Sequence, residues 1–169
     1  MALLATLAPP FSVGAHALLS TVGSNKTITT REGIKIGTTR SNVIGHIAWD
    51  IWCPAGTPIY APHSGTIVEA GSYGGCGITI GIERGNMRSD LCHLSQTKVI
   101  KGEHVKQGDL VGLSGNTGNS DGNHLHWQFF ANGKQRSSED ALRASQMQAI
   151  MIGMGGAVGV GLLLWWAVG

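Results

Sequence analysis

Five side chains of this sequence have the types and spacing of a hydrolytic metal site. His46 and Asp50 stand four residues apart in Gly-His-Ile-Ala-Trp-Asp-Ile, His93 sits in Leu-Cys-His-Leu, and His124 and His126 flank Leu125 in Asn-His-Leu-His-Trp. Positions i and i+2 of a strand face the same side, so His124 and His126 would enter one site while Leu125 and Trp127 turn away into packing. Imidazole and carboxylate groups are what zinc takes at a hydrolytic centre, where three protein ligands leave a fourth position to water. The ion lowers the pKa of that water and polarises the scissile carbonyl. Histidines outside the ligand set would then take the water's proton and support the oxyanion. None of these motifs is specific alone, because isolated His-x-His and His-x-x-x-Asp spacings also arise among ordinary structural histidines.

The elements that must position these groups read as strands. Between residues 33 and 133, short apolar runs such as Thr66-Ile-Val-Glu-Ala, Ile78-Thr-Ile-Gly-Ile and Leu125-His-Trp-Gln-Phe-Phe alternate with glycine-rich turns. The 26 glycines follow no Gly-X-Y period, which excludes collagen and predicts short strands joined by tight turns. Charged residues make up only 13% of the chain, the net charge is +2, and Lys and Arg do not cluster, so no nucleic-acid partner is expected.

On either side of this β-rich domain the character changes. Residues 1–32 form an N-terminal arm, apolar and then polar, without the basic start of a secretory signal, and are read as an arm that docks on a partner. Residues 134–148 form a polar connector with a short helix expected around Glu139 to Gln148. Residues 149–168 carry no charge and as a helix would be about 30 Å long, the thickness of a bilayer's hydrocarbon core. Gly155 and Gly159 form a Gly-x-x-x-Gly pair suited to helix–helix association, and Trp165 and Trp166 lie near one end, where interfacial aromatics collect. A single C-terminal transmembrane α-helix in a lipid bilayer is therefore expected.

Taken together, residues 37–133 resemble the lysostaphin-type, or LytM-type, zinc endopeptidase domain. The family's His-x-Gly-x-Asp motif and following Gly-Thr-Pro turn are matched by His46-Ile-Ala-Trp-Asp50 and Ala55-Gly-Thr-Pro-Ile-Tyr-Ala61. Its next strand resembles Ser64-Gly-Thr-Ile-Val-Glu-Ala-Gly71, and its glycine turn Tyr73-Gly-Gly-Cys-Gly77. Its Tyr-x-His-Leu motif is matched by Leu91-Cys-His-Leu94. Val105-Lys-Gln-Gly-Asp-Leu-Val-Gly112 and Ser114-Gly-Asn-Thr-Gly118 then lead into His124-Leu-His126 in the family order. The entry motif Ser-x-Phe-Gly-x-Arg is only loosely echoed by Ile36-Gly-Thr-Thr-Arg40.

The resemblance implies a mainly β fold, an antiparallel sheet of the duplicated-hybrid-motif type. It implies one Zn2+ per chain held by His46, Asp50 and His126, with His93 and His124 as the unliganded catalytic pair. The activity it implies is hydrolysis of peptide bonds in bacterial peptidoglycan. The alternative is a non-catalytic, membrane-anchored structural or binding protein of a virion or envelope assembly that retains the peptidase fold. The five filled positions favour the enzyme.

Two departures from the pattern bear on function. Ala48 replaces the glycine between the first two ligand positions, which fits unless that backbone needs positive φ. Leu91 replaces the family's Tyr, whose hydroxyl could help to bind substrate or the oxyanion. Tyr73 and the loop at residues 116–123 are read either as lining the substrate groove or as turn chemistry alone. His16, His63 and His104 match no motif and are read as surface or structural residues. Cys53, Cys76 and Cys92 are read as buried thiols, or as including a Cys76–Cys92 bridge between neighbouring strands.

Peptidoglycan lies outside the cytoplasmic membrane, yet the basic flank Lys134, Arg136 and Arg143 would keep the domain on the cytoplasmic side of the span. Two locations satisfy both facts. One is the virion membrane of a phage, with capsid proteins as partners. The other is a bacterial envelope reached by an atypical export route.

Overall fold

A computed structural model describes residues 7–13, 27–39 and 47–153. Eleven strands are β1 (Thr27–Thr29), β2 (Lys35–Thr39), β3 (Trp49–Trp52), β4 (Pro58–Tyr60), β5 (Gly65–Ser72), β6 (Ile78–Arg84), β7 (Met87–Thr97), β8 (His104–Val105), β9 (Leu110–Ser114), β10 (His124–Ala131) and β11 (Lys134–Arg136), followed by α1 (Ser138–Gly153). The strands pair antiparallel in the order β1-β2-β3-β10-β7-β6-β5-β8, with β11 on β10 and β9 bridging β4 and β7. The mainly β, antiparallel expectation holds for the described residues.

Strand β10 organises the middle of the sheet. Its burial alternates, with Leu125, Trp127 and Phe129 buried and His124, His126 and Gln128 half-buried on the other face, as the two-residue strand period requires. Beneath it Trp49 of β3 stacks on Trp127 with ring centroids 6.2 Å apart. Ile51, Ile80, Ile82 and Leu91, none of them exposed, extend the same core under the neighbouring strands.

The sheet reaches beyond residues 33–133 on both sides. Strand β1 pairs with β2 through Thr27↔Gly37 and Thr29↔Lys35. On the far side, Lys134–Arg136 is a strand and not part of a connector, because Asn132 and Gly133 both take positive φ (53° and 71°). That is the two-residue turn which returns a strand on itself, and it pairs Ala131 with Lys134. The helix then begins at Ser138, eleven residues before the expected span and one before the short helix expected from Glu139 to Gln148. Ser137 caps it, its Oγ accepting the Asp140 N–H at 3.2 Å. Glu139 and Asp140 lie in the first turn, where negative charge is favoured. Leu142 is fully buried in the core.

The N-terminal segment docks on this chain itself. Leu7 and Phe11 are buried in the core. The Ala8 N–H donates to the Pro62 carbonyl, and Pro10 accepts from Tyr60 N–H at 3.0 Å, so the segment covers part of the edge of β4. Its apolar side chains find a partner within the fold, which the sequence alone attributed to another molecule.

Most of the expected span at residues 149–168, including Gly155 and Gly159, lies outside the described residues. Among those described, no helix is long and apolar enough to cross a membrane. Cys53, Cys76 and Cys92 are free thiols, with Cys53 and Cys92 buried. Burial pushes the Cys53 thiol up to about 11. Burial, then the neighbouring Cys76 thiol, raises Cys92 as well, so neither is a nucleophile near neutral pH.

Candidate metal centre

Register brings the site together. Asp50 stands opposite His126, and Trp52 opposite His124, across β3 and β10. His126 stands opposite Cys92 on the other edge of β10. Asp50, His124 and His126 therefore share the face that Leu125 and Trp127 do not.

His93 joins them through an irregularity. Leu91 and Leu94 are both fully buried although they are three apart, a spacing that a regular strand cannot place on one face. His93 between them takes φ 61°, a left-handed conformation unusual for a residue with a Cβ. The pairing of β7 with β9 slips just beyond, between Leu94 and Gln96. The kink turns His93 towards the other rings, with centroids 4.8 Å from His124 and 5.5 Å from His126. One ligand atom from each of His93, His124 and His126 lies within 4.8 Å of the other two.

Hydrogen bonds define the tautomers. His93 Nδ1 is 2.8 Å from the Thr117 carbonyl and His124 Nδ1 is 2.8 Å from the Gly122 carbonyl. A carbonyl oxygen only accepts, so both Nδ1 atoms carry the proton and both Nε2 atoms present lone pairs when the rings are neutral. His124 Nε2 lies 3.7 Å from Asp50 Oδ1, and His126 Nδ1 lies 2.7 Å from the same oxygen. Burial, reinforced by the neighbouring His124 and His126, lowers the His93 pKa from its usual value. A carboxylate oxygen and imidazole nitrogens converging in a half-buried cleft are a donor set that suits zinc. His46, the third ligand implied by the resemblance, lies outside the described residues.

The loop at residues 116–123, read from sequence either as lining the substrate groove or as turn chemistry, orients His93 through Thr117. Thr117 Oγ1 accepts the Ile78 N–H at 2.8 Å and donates to the Leu94 carbonyl at 2.7 Å, while its own carbonyl orients His93. Glycines let this loop approach the turn at Gly74–Cys76. A Cβ on Gly77 would fall 2.4 Å from the Thr117 carbonyl carbon, and one on Gly118 would fall 2.4 Å from the Gly75 oxygen. The only hint in the sequence was the Ser-Gly-Asn-Thr-Gly motif.

Beside the histidines lies a cleft of about 370 Å³ whose lining includes Tyr73, Cys76 and Asn119. Ala48 is absent from the positive-φ residues, so its Cβ is accommodated. Leu91 is not exposed at all: β7 directs that position into the core, where it cannot present a group to substrate. His63 is buried and hydrogen-bonded to Ser64 and Ser89. His104 is exposed against Thr66, and His16 lies outside the described residues.

Comparison with known proteins agrees with this arrangement. The chain is 37% identical over 93 residues to the peptidoglycan DD-endopeptidase ShyA of Vibrio cholerae serotype O1, covering 54% of this chain and 22% of that protein. It is 42% identical over 97 residues to lysostaphin of Staphylococcus simulans, covering 55% and 20%. The matched part thus spans about a fifth of each curated relative's length. The solved catalytic domain of the antimicrobial peptidase lysostaphin from Staphylococcus simulans superposes with a TM-score of 0.56 at 34% identity, covering 66% of this chain and 94% of that one. Residues 45–138 match the profile of Peptidase family M23, and that stretch carries the kinked β7, the β3–β10 register and the four converging side chains described above: the chain belongs to Peptidase family M23.

Proposed function

We propose that this protein is a zinc-dependent endopeptidase that hydrolyses peptide bonds of bacterial peptidoglycan. The observation that carries the reading is the convergence of Asp50, His93, His124 and His126 on one face of an M23 domain. Relatives named for peptidoglycan and antimicrobial peptidase activity support the substrate class.

Asp50, His126 and His46 would hold the ion. Bound there, zinc supplies Lewis acidity, acidifying an attacking water and polarising the scissile carbonyl. The remaining work falls to the protein. His93 Nε2, its lone pair exposed by the Nδ1 bond to Thr117, accepts the water's proton. His124, oriented in the same way through Gly122, stands beside it to steady the charge that develops on the carbonyl oxygen. Tyr73 and Asn119 flank the peptide where it crosses the cleft.

Asp50→Ala and His126→Ala should abolish stoichiometric zinc and clearing of purified cell wall. His124→Ala should keep zinc and lose roughly 10²- to 10⁴-fold in rate. Zinc retained in Asp50→Ala, or unchanged turnover in His124→Ala, overturns the assignment. Mass spectrometry of the digested wall identifies the bond.

Residues 149–168 anchor the domain to a membrane in this proposal, supported by their uncharged, glycine-rich sequence. The anchor is in a virion membrane or the cell envelope. A chain ending at Gln148 retains Leu142 and should keep its zinc while leaving the membrane fraction. Continued sedimentation with membranes argues against the anchor, and purified virions against envelope fractions tell the two locations apart.

A further inference from the structure

Three tryptophans lie among the described residues, and two of them belong to the core. Trp49 and Trp127 are 5% and 0% exposed and stack on each other. Trp52 is 44% exposed, and its side chain enters no hydrogen bond or ring contact among the described residues. An indole left in water forgoes the burial that the other two obtain. Strand alternation puts it there. In β3, Trp49 and Ile51 turn into the core, so Asp50 and Trp52 share the site face.

Register then seats Trp52 at the histidines. It stands opposite His124 of β10 on one side and Gly37 of β2 on the other, and His124 in turn bridges to Gly115. Directly opposed residues have Cβ atoms about 5 Å apart, so the indole is the immediate neighbour of His124. Glycine closes the row at both ends, and Trp52 and His124 are the two side chains it raises above the sheet. A Cβ on Gly115 would fall 2.5 Å from the Ser95 nitrogen, so that flank stays bare. Tyr73, 51% exposed, lines the histidine cleft from the β5–β6 side. In the sheet order β3-β10-β7-β6-β5 the histidines therefore lie between two exposed aromatic rings.

An extended peptide reaching from Tyr73 across His93 and His124 runs next onto the indole. Trp52 and the two glycines bring no charge to this row, and the indole offers a flat apolar face with one N–H at its edge. Such a face is stabilised by covering hydrocarbon, and a glycine has no side chain to bury on it. We propose that Trp52 is a specificity-determining residue of the cleft, taking an aliphatic side chain of the substrate residue next to the scissile bond, on the side remote from Tyr73. This rests on the peptidase reading for the presence of a peptide over the histidines. A lipid surface is the other occupant that an exposed indole suits. The place of Trp52 beside His124, on the face where the peptide lies, favours the substrate.

The test is binding, read on the full chain carrying His93→Ala so that peptides are not consumed. The probes are N-acetyl-pentaglycine amide and its single-alanine versions in the L and D series. The reading is the NMR signal of the Trp52 indole N–H, assigned by its loss in Trp52→Phe. At one position alanine should bind about fourfold tighter than glycine, the effect of one buried methyl group, and should move the Trp52 signal. Trp52→Ala should keep zinc and erase that preference, while Trp52→Phe should keep part of it. Equal affinity for all the peptides, or a preference that survives Trp52→Ala, overturns the assignment. So does an indole signal that answers phosphatidylglycerol vesicles and none of the peptides. Because no turnover is read, a chain that clears cell wall but shows no preference loses only this inference. A chain that shows the preference but never hydrolyses wall with His93 in place loses only the peptidase reading.

Discussion

At the scale of the residue, His93 shows how packing shapes a backbone. Its left-handed φ of 61° is a conformation that costs an ordinary L-residue on the order of 1 kcal/mol and glycine almost nothing. The kink persists because Leu91, Leu94 and Thr117 hold it from three sides. His93→Ala and His93→Gly should both lose activity about 10²- to 10⁴-fold with zinc retained. The glycine variant should be the more stable of the two by about 1 kcal/mol in urea unfolding. Equal stabilities would mean that the backbone relaxes out of the left-handed region once the ring is gone. The histidine itself was legible in the sequence from its Leu-Cys-His-Leu setting. Its conformation was not, because positive φ at a non-glycine residue is imposed by packing on either side.

At the scale of the element, the site depends on how β10 is seated. Its outer face carries His124 and His126 only because its inner face is fastened to the core. Trp127 Nε1 donates to Ser89 Oγ at 3.2 Å, and the Trp127 carbonyl accepts from Ser138 Oγ at 2.7 Å. Helix α1 thereby joins the fold before reaching the apolar segment, with Leu142 as its buried anchor. Leu142→Ala should cost about 2–5 kcal/mol of unfolding free energy. A loss below about 1 kcal/mol would place the helix outside the cooperative unit. Strand β10 was readable from alternation, and β11 was signalled by Asn132-Gly133, a hairpin turn hidden inside a segment that composition marks as polar linker. The docking of residues 7–13 was not readable, because nothing local says which surface Leu7 and Phe11 will cover.

At the scale of the whole molecule, stability and pH are linked through the buried His63. Its Nδ1 lies 3.1 Å from the Ser64 carbonyl and so carries the proton, while Nε2 lies 3.1 Å from Ser89 Oγ. Ser89 already accepts from Trp127, so its own O–H donates to His63 Nε2, a network built for the neutral ring. Burial accordingly holds the His63 pKa below 6.5. The sign follows: above pH 6.5 the ring is neutral in both states and its contribution is complete. As pH falls below 6.5 the unfolded chain takes a proton that the folded one resists, and stability declines until the lower folded value is passed. Imidazole NMR should show His63 still neutral in the folded protein at pH 6.5. A midpoint at or above 6.5 contradicts the network.

The sequence by itself indicated the candidate chemistry and the kind of scaffold. Donor types and their spacing pointed to a hydrolytic metal site on a β-rich domain, because residue type and a two-residue period are local properties, and the resemblance to the lysostaphin-type domain implied a zinc peptidase on an antiparallel sheet. Tertiary structure alone decided which atoms face one another. It set the Asp50–His126 register, the tautomers of His93 and His124, and the burial of Leu91. It also assigned the N-terminal segment to the chain's own core and set Trp52 beside His124. Those are relations between strands far apart in the chain, and they depend on pairing register and on a single kink in β7 that no local pattern encodes.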